Sequence, residues 1–261
     1  MTSIDKYAYI SKLNKMNPML KFVIAVLSMV VCLGMDHIAV SVLIFLAMSW
    51  LTVARGKISL KYYVKLLRIP LFFLVVGVLT IIINITSQPA DLVSIPVFSK
   101  YVSISSEGLF TGIVLVFKAF GTVACLYFLS LSTPMFEITQ VFNQLRCPKI
   151  FTELMLLIYR FIFLLMDTSH MMVISADSRL GYMTKKTWLN STGMIAGSLF
   201  LKSFKRSMRM YNAMEARCYD GTIEFLNEEK PVKKRQIVLT VIYFVCILAV
   251  GIIFRLKGWM Q

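Results

Sequence analysis

The sequence predicts an all-α integral membrane protein with about five transmembrane helices and further helices at the cytoplasmic face. The first observation is composition: of 261 residues, 58% are hydrophobic and 16% are charged, and the mean hydropathy is +0.75. Soluble domains are typically about one quarter charged. The second observation is a series of five apolar runs, each near the length that a helix needs to cross a bilayer. The third is the uneven distribution of Lys and Arg along the chain.

The apolar runs divide the chain into three regions. Residues 1–131 form an N-terminal transmembrane region with four runs, residues 132–236 a separate helical region, and residues 237–261 a C-terminal transmembrane helix. We expect the first two runs to form a helical hairpin, with each arm near the short limit for spanning. The five runs are 19–35, 38–54, 71–85, 113–131 and 237–254.

The basic residues predict the orientation of these spans. Four lie before or at the start of the first run, five in the 54–70 loop and fifteen in residues 132–236, whereas the 86–112 loop has only Lys100. Cytoplasmic segments carry the excess of Lys and Arg, so we expect a cytoplasmic N-terminus and an external C-terminus. This distribution accounts for the net charge of +15 without a nucleic-acid partner.

Three smaller features complete the outline. Short β-like runs on either side of Phe98-Ser99-Lys100 predict a small extracellular hairpin in the 86–112 loop. The five cysteines are odd in number and lack CxxC spacing, so we expect free thiols rather than disulfides or a zinc site. No cleavable signal peptide is expected, because residues 1–18 are polar and the first apolar run is too long.

Residues 132–236 predict three helices. Ser132-Thr133-Pro134 is typical of a helix start, so a short helix is expected over 135–145. A break at Pro148 precedes a longer helix from Ile150 to about Arg179, and whether 151–174 crosses the membrane stays open. The third helix, 190–219, has a basic, amphipathic second half of the kind found in interfacial helices.

The stretches "SADSRLGY" and "AMEARCYDG" echo each other. Arg179 and Arg217 each lie near the end of a predicted helix, and Gly181 and Gly221 follow them. Glycine suits a helix C-terminus because it can adopt positive φ. From the residues alone, the ordinary interpretation is a favourable interaction of these arginines with the helix dipole.

These two stretches resemble the two arginine motifs of the T component (EcfT, CbiQ subtype) of energy-coupling factor (ECF) transporters. "LSTP", "LRCPKIFTELMLLIYR" and "SISSEGL" agree with the same family. The resemblance covers most of the chain and is densest from residue 108 to residue 221. One departure is Cys218, where the family usually has Gly after the second Arg.

The resemblance implies a non-catalytic membrane subunit, without a cofactor, in the cell membrane of a prokaryote. It would transmit the motion of two cytoplasmic ABC-type ATPase subunits, which hydrolyse ATP, to a small substrate-binding membrane subunit (S, CbiM-like). The cargo implied by the subtype is cobalt or nickel ions, in connection with cobalamin biosynthesis, although a vitamin stays open. The implied ATPase-coupling residues are Ala176, Arg179, Gly181, Ala216, Arg217, Asp220 and Gly221.

Four other polar residues in or near apolar segments have structural explanations. We expect Arg160 to form an internal ion pair with Glu153 or Asp167. Lys118 is expected to snorkel towards a membrane surface rather than to bind substrate or a proton. His37, beside Asp36, and the isolated His170 are expected to be structural rather than metal ligands.

Two alternatives from other classes remain. A self-sufficient secondary transporter would require an inverted repeat or interrupted polar spans, and neither stands out. A membrane-embedded enzyme would require a catalytic pair, for which Glu215 with Asp220 is a weak candidate. The sequence contains none of GxxxxGK[ST], HExxH and GxSxG, which excludes P-loop ATP binding and gives no support to the two hydrolase classes.

Overall fold

The structure is a computed structural model that describes residues 3–35, 37–86, 93–97, 100–104, 106–221, 230–232 and 234–256. These residues are mainly helical. The α-helices within these ranges are α1 (Ser3–Ile10), α2 (Pro18–Gly34), α3 (Ile38–Trp50), α4 (Leu60–Ile82), α5 (Ser106–Ser132), α6 (Met135–Gln144), α7 (Lys149–Asp177), α8 (Lys185–Glu215) and α9 (Lys234–Leu256). A 3₁₀-helix (Lys12–Lys15) precedes α2, and a π-helical turn (Leu51–Arg55) extends α3.

The chain folds into two compact units. One comprises residues 2–134 and 229–261, and therefore contains α1 to α5 and α9. The other comprises residues 135–228 and contains α6 to α8.

Four segments in the first unit are long and apolar enough to cross a membrane. They are Ile38–Arg55, Leu60–Thr80, Gly108–Ser132 and Lys234–Ile252. The apolar helix α2 has 17 residues, which places it at the short limit predicted for the first run. The prediction of an all-α membrane fold with about five transmembrane helices is thus confirmed. Helix α7 is longer, with 29 residues, but is not among the apolar spans.

The core of the first unit lies where α5 packs against α2 and α3. Cys32, Ile44 and Phe128 are almost fully buried there. A methyl group on Gly121 would lie 2.7 Å from Cys32 Sγ and 3.2 Å from the Ser41 carbonyl oxygen. The three helices can therefore approach this closely only because residue 121 has no side chain.

The sequence grouped Lys21 with the basic residues before the first span, but the structure buries its side chain. It lies in the first turns of α2 and is fully buried, and its Nζ donates a 3.0 Å hydrogen bond to the carbonyl oxygen of Ser132. Ser132 is the last residue of α5. A cation at this position is favourable because the C-terminal carbonyls of a helix carry partial negative charge.

Helix α4 begins eleven residues earlier than the apolar run that predicted it, at Leu60 instead of Leu71. The added turns contain Lys61, Lys65 and Arg68, which are exposed. These residues favour helix, and their polarity concealed this helical segment from a search for apolar runs.

The segment between α4 and α5 contains a three-stranded antiparallel sheet. Its strands are β1 (Ile83–Thr86), β2 (Val93–Val97) and β3 (Lys100–Ile104), in the order β1-β3-β2. Strands β2 and β3 pair antiparallel, with Val97 opposite Lys100, which confirms the predicted pairing of the two short runs. Phe98 and Ser99 lie outside the described residues. Strand β1 was not predicted, because its residues continue the apolar run of α4 directly.

In the second unit, α7 begins directly after Pro148 and ends at Asp177, close to the predicted bounds. Helix α8 begins at Lys185 rather than near residue 190. Its start is fixed by Thr187, whose hydroxyl accepts a 2.9 Å hydrogen bond from the Thr184 N–H. No residue of α8 is buried within the chain.

Candidate functional site

Helix α7 ends in a Schellman motif. The Gly181 N–H donates to the Ala176 carbonyl and the Leu180 N–H donates to the Asp177 carbonyl, each at 2.9 Å. This pair of bonds requires a left-handed residue after the helix, and Leu180 supplies it with φ 60°. Arg179 is the last residue before that turn, and it is exposed.

Helix α8 ends in the same geometry. The Tyr219 N–H donates to the Met214 carbonyl at 3.1 Å, and the Cys218 N–H donates to the Glu215 carbonyl at 3.0 Å. Cys218 is the left-handed residue, with φ 57°. Arg217 therefore occupies the position in α8 that Arg179 occupies in α7, and it is also exposed. The similarity between the two sequence stretches therefore corresponds to the same Schellman motif at both helix ends.

The sequence suggested that glycine supplies the positive φ at both motifs, but this is wrong for the first motif. Gly181 does not have positive φ, and Leu180 takes that conformation instead. Gly181 is required for space, since a Cβ there would lie 2.6 Å from Ser191 Oγ and 2.8 Å from the Ala176 carbonyl oxygen. The Ser191 hydroxyl donates a 2.9 Å hydrogen bond to the Gly181 carbonyl, which attaches the end of α7 to α8. Gly221 does have positive φ, at 95°.

The end of a third helix has the same motif, which was not predicted from the sequence. At the end of α6, the Cys147 N–H donates to Phe142 and the Arg146 N–H donates to Asn143, both at 3.1 Å. Here the arginine is itself the left-handed residue, with φ 60°. Arg146 is thus one position later than Arg179 and Arg217, and this shift concealed the relationship.

A side-chain hydrogen bond holds the end of α8 against the first turns of α7. The Tyr219 hydroxyl donates to Glu153 Oε2 at 3.1 Å, and Glu153 is buried. Burial, the hydrogen bond to Glu153 and the nearby carboxylate charges raise the pKa of Tyr219 above its usual value of 10.0. Glu153 therefore helps to position the Arg217 turn, a role that the sequence did not reveal.

Arg217 borders a cleft of about 460 Å³ between α7 and α8. Three further arginines line it, namely Arg160, Arg206 and Arg209. No carboxylate is among the described residues of its lining. The cleft is therefore strongly electropositive and suited to a carboxylate or phosphate group.

The ion pair of Arg160 with Glu153 or Asp167 stays a prediction from the sequence. Glu153 and Asp167 are each seven residues away on the same helix, which corresponds to roughly 10 Å along its axis. Glu153 accepts a hydrogen bond from Tyr219, and Arg160 lines the arginine cleft.

Arg179 borders a second groove of about 560 Å³, also between α7 and α8. Ala176 and Gly181 line the same groove, together with Ser191 and Met194 from α8. Three of the predicted coupling residues are therefore brought together here. Ala216 follows the last residue of α8, and Asp220 and Gly221 come directly after the second motif, where all three are exposed.

His37 is the N-cap residue of helix α3. Its Nδ1 accepts a 3.2 Å hydrogen bond from the Ala39 N–H at the start of α3, as the structural interpretation required. Asp36 lies outside the described residues. His170 is exposed on α7, and Lys118 is half-buried in α5. Across the described ranges, no group of three His, Cys, Asp or Glu residues could hold a metal ion. All five cysteines are free, as predicted.

Comparison with known proteins decides the family. The family model of the cobalt transport protein CbiQ matches residues 11–228. This chain belongs to the CbiQ family. The cobalt transport protein CbiQ of Salmonella typhimurium is 27% identical over 85% of this chain and 98% of its own length.

Two other relatives extend the comparison. A putative fused cobalt transport protein CbiMQ of Methanocorpusculum labreanum is 27% identical over 87% of this chain and 38% of its own length. The energy-coupling factor transporter transmembrane protein EcfT of Staphylococcus aureus is 27% identical over 65% of each chain. This member of the CbiQ family is thus similar to proteins of both the cobalt-transport and the energy-coupling type.

Proposed function

We propose that this CbiQ-family chain is the transmembrane coupling (T) component of an ATP-driven, ECF-type importer. It transmits the motion of two cytoplasmic ABC-type ATPase subunits to a small substrate-binding membrane subunit, and it has no catalytic activity of its own. The observation that carries the proposal is the equivalence of Arg179 and Arg217 in two Schellman motifs, with both side chains exposed.

The chemistry of these helix ends fits docking to an acidic groove. A guanidinium offers two parallel N–H donors to a carboxylate, with more geometric control than a lysine ammonium. Near Arg217, the other three arginines of the cleft add positive charge around any incoming carboxylate. We therefore assign one ATPase subunit to the end of α7 and the other to the end of α8.

Transmission follows from the length of the two helices. Helices of 29 and 31 residues are each about 45 Å long and behave as stiff rods. A displacement at Arg179 or Arg217 is therefore carried along α7 or α8 rather than absorbed locally. The hydrogen bonds from Tyr219 to Glu153 and from Ser191 to Gly181 couple the two rods to each other.

The cargo is assigned to cobalt or nickel ions. Cobalt is favoured, because the matching family model is that of a cobalt transport protein. The fused CbiMQ relative supports a CbiM-like partner, since its name joins two components in one chain.

Co-purification tests the proposal. The chain would be expressed with the ABC-type ATPases of its host, as wild type and as the double variant Arg179→Glu/Arg217→Glu. We expect the wild type to retain an ATPase pair and the double variant to lose it. The matched control is Lys186→Glu/Lys205→Glu, which reverses two exposed charges on α8 outside both arginine motifs. A double Arg variant that retains the ATPases as well as the control does would contradict the docking role.

A further inference from the structure

A cavity in the first unit has apolar walls and a basic rim. Its volume is about 630 Å³, and it lies between α2, α3 and α9. The apolar lining includes Ile24, Leu239 and Tyr243. Lys12, Lys15 and Arg55 line the same cavity. The described lining includes no carboxylate to neutralise these three cations.

The three cations belong to segments that meet at one end of the helices. Lys12 and Lys15 lie on the 3₁₀-helix before α2, and Arg55 ends the π-helical turn after α3. The guanidinium of Arg55 lies 5.7 Å from the ring centre of Trp50, which also lines the cavity. An aromatic ring beside basic residues at the end of a transmembrane helix is typical of the level of lipid headgroups.

A second observation concerns the positive charge around Lys12. The pKa of Lys12 is lowered from its ordinary value, first by a side-chain interaction with Lys57 and then by the positive charge of Lys57. Two neighbouring ammonium groups repel each other. An anion in the cavity beside Lys12 would reduce that repulsion.

A third observation concerns an unpaired hydrogen-bond acceptor in the wall of the cavity. Gln236, in the first turn of α9, lines the cavity, and its buried Oε1 has no hydrogen-bond partner among the described residues. An unpaired buried acceptor is costly, so a donor on the occupant would be favourable. A hydroxyl group close to the anion would meet this requirement.

We propose that this cavity binds one anionic glycerophospholipid whose headgroup carries a hydroxyl, as in phosphatidylglycerol. Its phosphate lies among Lys12, Lys15 and Arg55, and one acyl chain lies along Ile24 and Leu239. The site is independent of the coupling function, because it requires only that the chain be embedded in a membrane. Basic pockets between transmembrane helices are known to bind anionic headgroups.

Native mass spectrometry of the detergent-purified chain, titrated with defined lipids, tests the site. The probes are phosphatidylglycerol, phosphatidylcholine and soluble glycerol phosphate. We expect one phosphatidylglycerol to bind in preference to phosphatidylcholine. In Lys12→Gln/Lys15→Gln/Arg55→Gln, binding should be roughly 100-fold weaker, because each basic residue near an anionic headgroup contributes about a fivefold factor.

Two further variants make the result specific. Lys61→Gln/Lys65→Gln/Arg68→Gln removes the same charge from exposed positions on α4 and should leave phosphatidylglycerol binding unchanged. Leu239→Trp keeps the three cations but fills the cavity, and it should abolish binding. The proposal is overturned if phosphatidylcholine binds equally well, if both triple variants behave alike, or if glycerol phosphate competes at the same concentration as the lipid.

Discussion

The Tyr219 hydroxyl donates a 3.1 Å hydrogen bond to the buried Glu153, across the pair of helices that carry Arg179 and Arg217. Tyr219 is also the residue whose N–H closes the Schellman motif of α8. The same residue therefore ends α8 and attaches that end to α7. The orientation of Arg217, two residues earlier, depends on both contacts.

Tyr219→Phe removes this side-chain bond while keeping the ring and the backbone motif. We expect a modest fall in the thermal midpoint of the detergent-purified chain and a several-fold weaker retention of the ATPase subunits. Tyr211→Phe is the matched control, because Tyr211 is exposed on the same helix. Equal effects of the two substitutions would show that the bond to Glu153 does not position the motif.

The same bond predicts a pH dependence. The raised pKa of Tyr219 means that the folded protein keeps the phenol protonated at pH values where the unfolded chain ionises it. The stabilisation is complete below pH 10.0, the usual pKa, and is lost as pH rises through the higher folded value. The wild-type minus Tyr219→Phe difference in ultraviolet titration should therefore show a phenol that ionises above pH 10.0. A difference curve centred at or below the usual value would contradict this.

Cys218→Gly tests the cost of the left-handed conformation. Cys218 has φ 57°, in which a residue with a Cβ is disfavoured by about 1 kcal/mol relative to glycine. We expect this variant to be stabilised by roughly that amount in thermal unfolding, with ATPase retention unchanged. Cys147→Gly is the control, since Cys147 closes the motif of α6 without positive φ. Stabilisation of both variants alike would refute the conformational explanation.

Gly121→Ala tests the close packing of α5 against α2 and α3. The added methyl group would meet Cys32 Sγ at 2.7 Å and the Ser41 carbonyl at 3.2 Å, so we expect destabilisation by about 1–3 kcal/mol. In Gly77→Ala, on α4, the new Cβ has no atom within 4 Å, and this variant should be neutral or slightly stabilised. Thermal unfolding in detergent measures both. Similar midpoints for the two variants would mean that the helices can separate at no cost.

Lys21 offers a test of the buried cation in α2. Lys21→Ala removes the hydrogen bond to the Ser132 carbonyl and leaves a cavity, so we expect a loss of about 2–4 kcal/mol. Lys65→Ala, at an exposed position of α4, should change stability by less than about 0.5 kcal/mol. The measurement is the fraction of folded protein that survives a heating series. Equal survival would contradict the structural role of Lys21.

The sequence predicted most of the fold because its strongest signals are local. The apolar runs located α2, α3, α5 and α9, and Pro148 located the start of α7. The search for apolar runs missed the first turns of α4, which are basic. The start of α8 was placed too late because the Thr184–Thr187 hydrogen bond was not recognised.

The candidate site was predicted less completely, since it depends on contacts between distant residues. The equivalence of Arg179 and Arg217 can be predicted from the sequence because each motif consists of neighbouring residues. The bond from Tyr219 to Glu153 spans 66 residues and leaves no pattern in the sequence. The arginine cleft likewise brings Arg160 of α7 close to Arg217, and no local pattern in the sequence indicates this proximity.

Site-specific photo-crosslinking would detect directly whether the ATPase subunits dock at the helix ends that carry Arg179 and Arg217. A benzophenone amino acid would replace Leu180 or Cys218, the exposed residues that follow the two arginines, in the chain assembled with its ATPases in membranes. Control positions are Trp188 and Phe200, which are exposed on α8 away from both turns. We expect ATPase adducts from residues 180 and 218 and few from the controls. Adducts absent at both turns, or equally frequent at the controls, would contradict docking of the ATPases at these two helix ends.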